Sequence, residues 1–298
     1  MTCDYVAPRT YARAVEELVA RTGARVLAGG TDVVLRQRQG QGAHPRALVD
    51  LKRIRGAASL KLDQRGALTL GPAVTMAQLE REPEVAARFA ALAQGAALVG
   101  SPQIRNRATV VGNVCNAAPS ADTAPGLIAL RARARILGPD GRRSLPVERL
   151  MTGPGQNDLA PGELVTAITV PAPRPRSGSA YTRHTPRHSM DIAVAAAAAA
   201  VELAEDGQGI AAARICLGAV GPTPMRASRA EHCLRGAAIA DDRLEEAADA
   251  AAGECRPISD VRAGAEFRRE LIRVLVRRML EAAITDARER ASTEGRRA

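Results

Sequence analysis

Gln103 to Asp122 is the stretch that most constrains how this chain can fold. Within it, Thr109, Gly112, Asn113, Asn116, Ala118, Ser120 and Asp122 fall inside fourteen positions. So many polar and small residues at fixed points exclude a simple core strand, and the apolar residues between them lack the period that predicts a helix. The pattern instead suits backbone laid against a bulky polar ligand. Glycine allows close approach and positive φ, while amides and hydroxyls offer hydrogen bonds to phosphate or ribose oxygens.

A second stretch has the same character. The apolar run Val26-Leu27-Ala28 enters Gly29-Gly30-Thr31-Asp32, and Val33-Val34-Leu35 leaves it. Consecutive N–H groups of Gly29 and Gly30 can be aimed at an anion, and Thr31 adds a hydroxyl. Each stretch has an ordinary reading beside this one: Gly-Gly between apolar runs is a tight turn, and an Asn-rich loop is a set of caps and side-chain turns. Gly29 and Thr109 stand eighty positions apart, and it is the ordered pair that points to a ligand.

Composition removes several function classes. The 298 residues suffice for two domains. Apolar residues at 46% and charged residues at 25% describe a globular chain, not a disordered one. There is no run of about eighteen apolar residues to cross a bilayer, and Met1 to Tyr5 lack the basic and apolar segments of a secretory signal. Cys3, Cys115, Cys216, Cys233 and Cys255 are scattered, which predicts cytosolic thiols and a cytoplasmic protein. His184 and His188 are four apart, but Pro186 lies between them and no Glu does, so no metal site is expected. The net charge of +10 raises nucleic-acid binding. However, Lys52 and Lys61 are the only lysines among 42 basic residues, the arginines are dispersed and aromatics make up 2%. Few bases could stack on such a surface, and an acidic partner protein accounts better for the excess charge.

Taken in order, the chain predicts a capped helix after Thr10 that ends near Gly23, a strand over 24–28, a helix over 32–39 and a strand over 48–51. A hairpin follows over 60–71, then a helix from Thr75 with Gln78 completing a capping box. Helical segments run from Pro83 to Val99. Beyond the Gln103–Asp122 stretch come a buried helix at 127–130 and strands at 134–138 and 164–170. Pro171 to Ser179 has linker composition. The alanine-rich run from Ile192 to Leu203 favours helix by propensity. The turn residues Glu205 to Gly209 and the apolar run that follows predict instead two antiparallel strands. Pro222-Thr223-Pro224 stops that sheet. Helices over 228–234, 242–252 and 263–281 close the chain, with fraying expected from Thr285.

These residues resemble a known family. Ala28-Gly29-Gly30-Thr31-Asp32 and Thr109-Val110-Val111-Gly112-Asn113 are similar to the two dinucleotide-embracing loops of the FAD-binding medium subunits of the molybdenum hydroxylases, the family of xanthine and carbon monoxide dehydrogenases. The similarity continues through Pro102–Asn106, Ala118–Asp122, Glu163–Val165 and Pro171. It extends over Tyr181, Arg183, Asp191–Ala193, Gly218–Pro224, Arg226 and Glu231, nearly the whole chain. The resemblance implies an α+β fold: a two-lobed PCMH-type FAD-binding domain over 1–175, with lobes of about 1–55 and 56–175. A smaller domain of antiparallel sheet and helices over 176–290 and a flexible tail over 291–298 would follow.

It also implies FAD as cofactor. Leu27, Ala28, Gly29, Gly30, Thr31, Asp32 and Val33, with Thr109, Gly112 and Asn113, would hold the pyrophosphate, and Val33 would also pack near the flavin. Asp122 would contact the ribityl or pyrophosphate region, and Val165 would lie by the ring through its backbone. Arg183 stands where the family often has a lysine near the pyrimidine edge. Without the resemblance, Asp122 reads equally as a helix N-cap, Arg183 as a surface residue and Tyr181 as core. Two residues depart from the family pattern. Val111 replaces the first of two glycines before Asn113, and Val99 stands where some relatives place an aromatic against the cofactor. No four-cysteine insertion is present, so no iron–sulfur cluster is expected in this chain.

The function implied is an electron-transfer subunit with no catalytic base of its own. Its partners would be a molybdopterin-binding large subunit and a small subunit with two 2Fe–2S clusters, and its electrons would pass to NAD, a quinone or oxygen. The alternative is a self-contained FAD-dependent oxidoreductase of the same flavin fold.

Overall fold

A computed structural model describes residues 3–40, 44–187 and 190–295. The first lobe is a three-stranded parallel sheet with helices between its strands. Strand β1 (Asp4–Val6), helix α1 (Tyr11–Ala20), β2 (Ala24–Leu27), α2 (Thr31–Arg38) and β3 (Ala47–Asp50) give the order β1-β3-β2. Thr10 caps α1 by accepting from Arg13 N–H, as its position predicts. β1 is an addition to the expected elements, too short at three residues to show a period.

The second lobe begins with the hairpin β4 (Leu60–Leu62) and β5 (Leu68–Leu70), then α3 (Met76–Glu80), whose Thr75–Gln78 capping box is formed. Helices α4 (Pro83–Arg88) and α5 (Ala90–Ala97) follow, separated at Phe89. The stretch expected to lack helix is largely helical: α6 (Pro102–Arg105), α7 (Val110–Asn116) and α8 (Thr123–Ala129). The misreading has a local cause. Val110, Val111 and Val114 form a buried face one turn long, and the polar residues around them obscure so short a period. Strands β6 (Arg133–Gly138) and β7 (Gly141–Pro146), helix α9 (Val147–Leu150), β8 (Met151–Gly153), β9 (Gln156–Asn157) and β10 (Leu164–Val170) complete the lobe around a sheet ordered β4-β5-β10-β6-β7.

In the C-terminal domain, β11 (Ser177–His184), β12 (Ala195–Leu203), β13 (Ile210–Gly218) and β14 (Met225–Arg226) form an antiparallel sheet in that order. Two expectations need correction here. Ser177 to Ser179 belong to β11 and not to the linker, and the sheet continues past Pro224 with β14, which pairs with Cys216 and Leu217. The alanine-rich run is a strand because both of its faces are covered. Ala195, Ala197, Ala199, Val201 and Leu203 face the C-terminal core, and Ala196 and Ala198 face the core of the second lobe. Small side chains on alternate faces let layers on both sides close on the sheet, and this packing overrides helix propensity.

Helices α10 (Ser228–Leu234), α11 (Asp241–Glu254) and α12 (Ala265–Gly295) cover the outer face. The expected fraying after Thr285 is also corrected, since α12 runs 31 residues to Gly295, into the expected tail over 291–298. Ile284 and Ala287 extend its buried stripe beyond Ala283. Residues 296–298 of that tail, and His188 of the histidine pair, lie outside the described residues. No helix among the described residues is long and apolar enough to cross a membrane.

Candidate functional site

The first loop is shaped by two glycines with different duties. Gly30 has φ +80° at the N-cap of α2, a left-handed conformation that a side chain would strain, and no side chain caps the helix. The N–H groups of the first turn of α2 therefore lack the partner that a cap supplies. Gly29 lies against the second loop: a Cβ there would overlap the Arg107 carbonyl oxygen and stand 2.9 Å from its carbon and 3.0 Å from Ala108 Cα. The two glycine motifs, eighty residues apart in sequence, are thus in backbone contact. Leu27, Ala28, Thr31 and Val33 are half-buried and Asp32 is exposed. No residue of α2 is buried, and Val34 and Leu35 are 42% and 51% exposed.

Three residues that sequence reasoning passed over hold this loop from below. Lys52 Nζ donates to Ala28 O at 2.9 Å and to Asp50 Oδ1 at 2.7 Å, and Tyr5 Oη donates to Asp50 Oδ2 at 2.6 Å. Burial pushes the Asp50 carboxyl up, but the hydrogen bonds from Lys52 and Tyr5 outweigh it and leave the group below its ordinary value. The only advance signal was that Lys52 is one of two lysines in an arginine-rich chain.

In the second loop Thr109 is buried and its Oγ1 accepts from Gly112 N–H at 3.1 Å. A Cβ at Gly112 would stand 2.7 Å from that hydroxyl oxygen, so the glycine serves this cap. The N–H expected to face a phosphate is directed at Thr109 instead. Asn113 Oδ1 accepts from Thr123 Oγ1 at 2.7 Å, which ties α7 to α8. Val111, the departure from the family pattern, is 4% exposed and belongs to the domain core. Val165 is buried at an irregularity in the β10–β6 pairing, and Val99 packs half-buried at the edge of the core.

Asp122 stands at the N-cap of α8 but makes no capping bond. Its carboxylate is held by the C-terminal domain: Tyr181 Oη donates to Oδ1 at 2.8 Å and Arg183 Nη1 to Oδ2 at 2.6 Å. The side chains of Arg183 and Asp122 are 6% and 8% exposed. Burial pushes the carboxyl above its ordinary value, and the Arg183 charge and the two hydrogen bonds pull it only part of the way back. Tyr181 is pushed up by its own burial and by the charge of Asp122. Glu231, by contrast, has a structural duty, accepting from Ile215 N–H and pairing with Arg226 at the edge of the sheet. No group of three or more His, Cys, Asp or Glu suited to a metal occurs among the described residues.

An uncapped helix N-terminus beside a glycine cradle offers N–H donors of the kind that fit a dinucleotide pyrophosphate. Comparison with known proteins agrees. Residues 1–173 match the family described as FAD binding domain in molybdopterin dehydrogenase, and 180–283 match the CO dehydrogenase flavoprotein C-terminal domain. The chain is 32% identical over 285 residues to a putative xanthine dehydrogenase FAD-binding subunit of Escherichia coli (strain K12), covering 95% of this chain and 97% of that one. It is 32% identical over 282 residues to the carbon monoxide dehydrogenase medium chain of Hydrogenophaga pseudoflava, covering 94% and 96%.

Among solved structures, a carbon monoxide dehydrogenase from Hydrogenophaga pseudoflava superposes with TM-score 0.90 at 31% identity, covering 96% of this chain and 98% of that one. Quinoline 2-oxidoreductase from Pseudomonas putida 86 superposes with TM-score 0.88 at 27% identity, with the same coverage. This chain belongs to the FAD-binding medium subunits of the molybdenum hydroxylase family, of xanthine and carbon monoxide dehydrogenase type. Its cofactor is FAD, and it is an oxidoreductase subunit.

Proposed function

We propose that this chain carries electrons from the 2Fe–2S clusters of a small subunit to an external acceptor, within an assembly whose large subunit binds the molybdenum cofactor. Bound FAD supplies the exchange between one-electron and two-electron chemistry. The reading is carried by the contact of the two glycine loops, in which Gly29 lies on the backbone of Arg107 and Ala108 next to the uncapped end of α2. Thr31, Asp32 and Val33 offer N–H donors to the pyrophosphate from the first turn of α2. Thr109, Gly112 and Asn113 support the opposite wall, with Gly112 setting its closeness. Arg183 places a cation where the pyrimidine edge would lie, and Asp122 orients it. Val165 offers backbone to the ring.

Support for a subunit, as against a self-contained enzyme, comes from the C-terminal match to carbon monoxide dehydrogenase flavoproteins and from the relatives' description as FAD-binding subunit or medium chain. A cytoplasmic location belongs to the same reading, and all five cysteines are free thiols. The test is to co-express the chain with its partners and record the visible spectrum of each separated subunit. Flavin bands in this chain, iron and molybdenum in the others, and flavin reoxidation by NAD, a quinone or oxygen are expected. A chain that purifies without flavin and takes up none would overturn the reading.

A further inference from the structure

We infer that Tyr181 is a positioning residue for the cofactor, acting through Asp122, so that cofactor binding in the N-terminal domain is governed by a strand of the C-terminal domain. This rests on the reading that Arg183, oriented by Asp122, serves the flavin.

The Asp122 turn has little freedom. Gly95 of α5 accepts its backbone so closely that a Cβ would stand 2.5 Å from Asp122 O, and Gly126 of α8 does the same for Ala91 O at 2.8 Å. On the other side Ala219 N–H donates to Pro119 O at 2.9 Å, and a Cβ at Gly218 would stand 3.1 Å from Pro125 Cγ. The backbone of Asp122 is thus fixed between α5, α8 and the end of β13. Its side chain is fixed by β11 alone: both carboxylate oxygens are taken, one by Tyr181 and one by Arg183, and no capping bond to α8 competes.

β11 is itself registered on the FAD-type domain. Tyr181 N–H donates to Gln94 Oε1 at 2.7 Å, and Ser179 Oγ accepts from Ala91 N–H at 3.2 Å. Tyr181 and Arg183 are two apart on one strand, so they share a face and arrive at Asp122 together. The two donors differ in what they can do later. Arg183 is long enough to leave Asp122 for another anion. Tyr181 is buried, short and rigid, and its hydroxyl keeps the carboxylate in place whichever partner Arg183 takes. Removing that hydroxyl leaves the packing of the ring and leaves the carboxylate to Arg183 alone, so the variant isolates the hydrogen bond.

The test is a double-mutant cycle on the full chain, with FAD affinity read by quenching of flavin fluorescence and folding by thermal melts of the apo chain. Tyr181→Phe is expected to weaken FAD binding about tenfold, the effect of about 1.4 kcal/mol. In the Asp122→Ala background, where no side-chain acceptor remains for the hydroxyl, the same change is expected to have less than a twofold effect, because the tyrosine acts through the carboxylate. A tyrosine that merely held the domain together would weaken binding equally in both backgrounds, and that result overturns the inference while leaving the FAD reading intact. Unchanged affinity in Tyr181→Phe overturns it as well. A wild-type chain that takes up no FAD removes both together.

Discussion

Two buried aspartates are each held by a tyrosine and a cation, in clusters that differ in how far those partners reach water. In the first lobe Asp50 receives a tyrosine hydroxyl from Tyr5 and an ammonium from Lys52. In the second, Asp122 receives a tyrosine hydroxyl from Tyr181 and a guanidinium from Arg183. Tyr5 is 58% exposed, whereas Tyr181 is 4% exposed. Both carboxylates are themselves buried, but the partners of Asp50 reach water and its carboxyl is held down, whereas the partners of Asp122 are buried with it and its carboxyl is held up. Asp50 also accepts a third hydrogen bond, from Lys52 N–H, whereas Asp122 accepts none from the backbone, so partners and burial together set the sign. The first cluster steadies a loop of its own lobe. The second joins two domains, and its members have no solvent to fall back on.

The comparison can be broken most directly at the aspartates. Asp122→Ala strands the buried Arg183 and is expected to lower stability by about 3–5 kcal/mol. Asp50→Ala leaves a cation that water can reach and is expected to lower it by about 1–2 kcal/mol; urea denaturation of both measures the ratio, and equal losses would dissolve the distinction. Gly29→Ala tests the contact on which both loops depend. Its Cβ must displace the Arg107 carbonyl, at an expected overpacking cost of about 1–3 kcal/mol together with loss of retained flavin. A yellow, wild-type-stable Gly29→Ala chain would show that the loops do not meet.

Smaller effects sharpen the same contrast. Lys52→Met releases Ala28 O and is expected to cost about 1 kcal/mol, with FAD affinity falling several-fold; calorimetric titration checks it. The pH dependence should run in opposite directions at the two clusters. Asp50 has a depressed value, so it stabilises the fold above the ordinary 3.8, and that stabilisation disappears as pH falls through its folded value. Asp122 has a raised value, so its ionised form costs stability at neutral pH, and the cost is relieved as pH falls through a value above 3.8. Carboxyl carbon NMR titration of the two residues should show Asp50 titrating below 3.8 and Asp122 above it.

The sequence showed which residues would meet more clearly than how they would be held. The cap at Thr10, the capping box at Thr75, the hairpin at 60–70 and the two strands on either side of Gly207 were legible because each rests on local chemistry. The helix α7 was not, because its buried face is a single turn and Thr109 serves it as a cap. β11 was hidden behind Ser177-Gly178-Ser179, where the small residues are required by a helix that lies about a hundred positions downstream. The Asp50–Lys52–Tyr5 group was also invisible, because nothing in one-dimensional order links Tyr5 to Asp50. Only parallel pairing of β1 with β3 brings them together.

The backing of β11 ties the site to a helix far along the chain. Ser179 N–H donates to Asp286 Oδ2 at 2.8 Å, and Gly178 lies so close to α12 that a Cβ would overlap the Ala283 carbonyl oxygen. One face of β11 meets α5 of the FAD-binding domain, and its other face stays uncovered until α12, far downstream of both glycine loops and Asp122, packs on it. A chain that lacks α12 therefore keeps every loop residue and loses the layer behind the strand that holds Asp122.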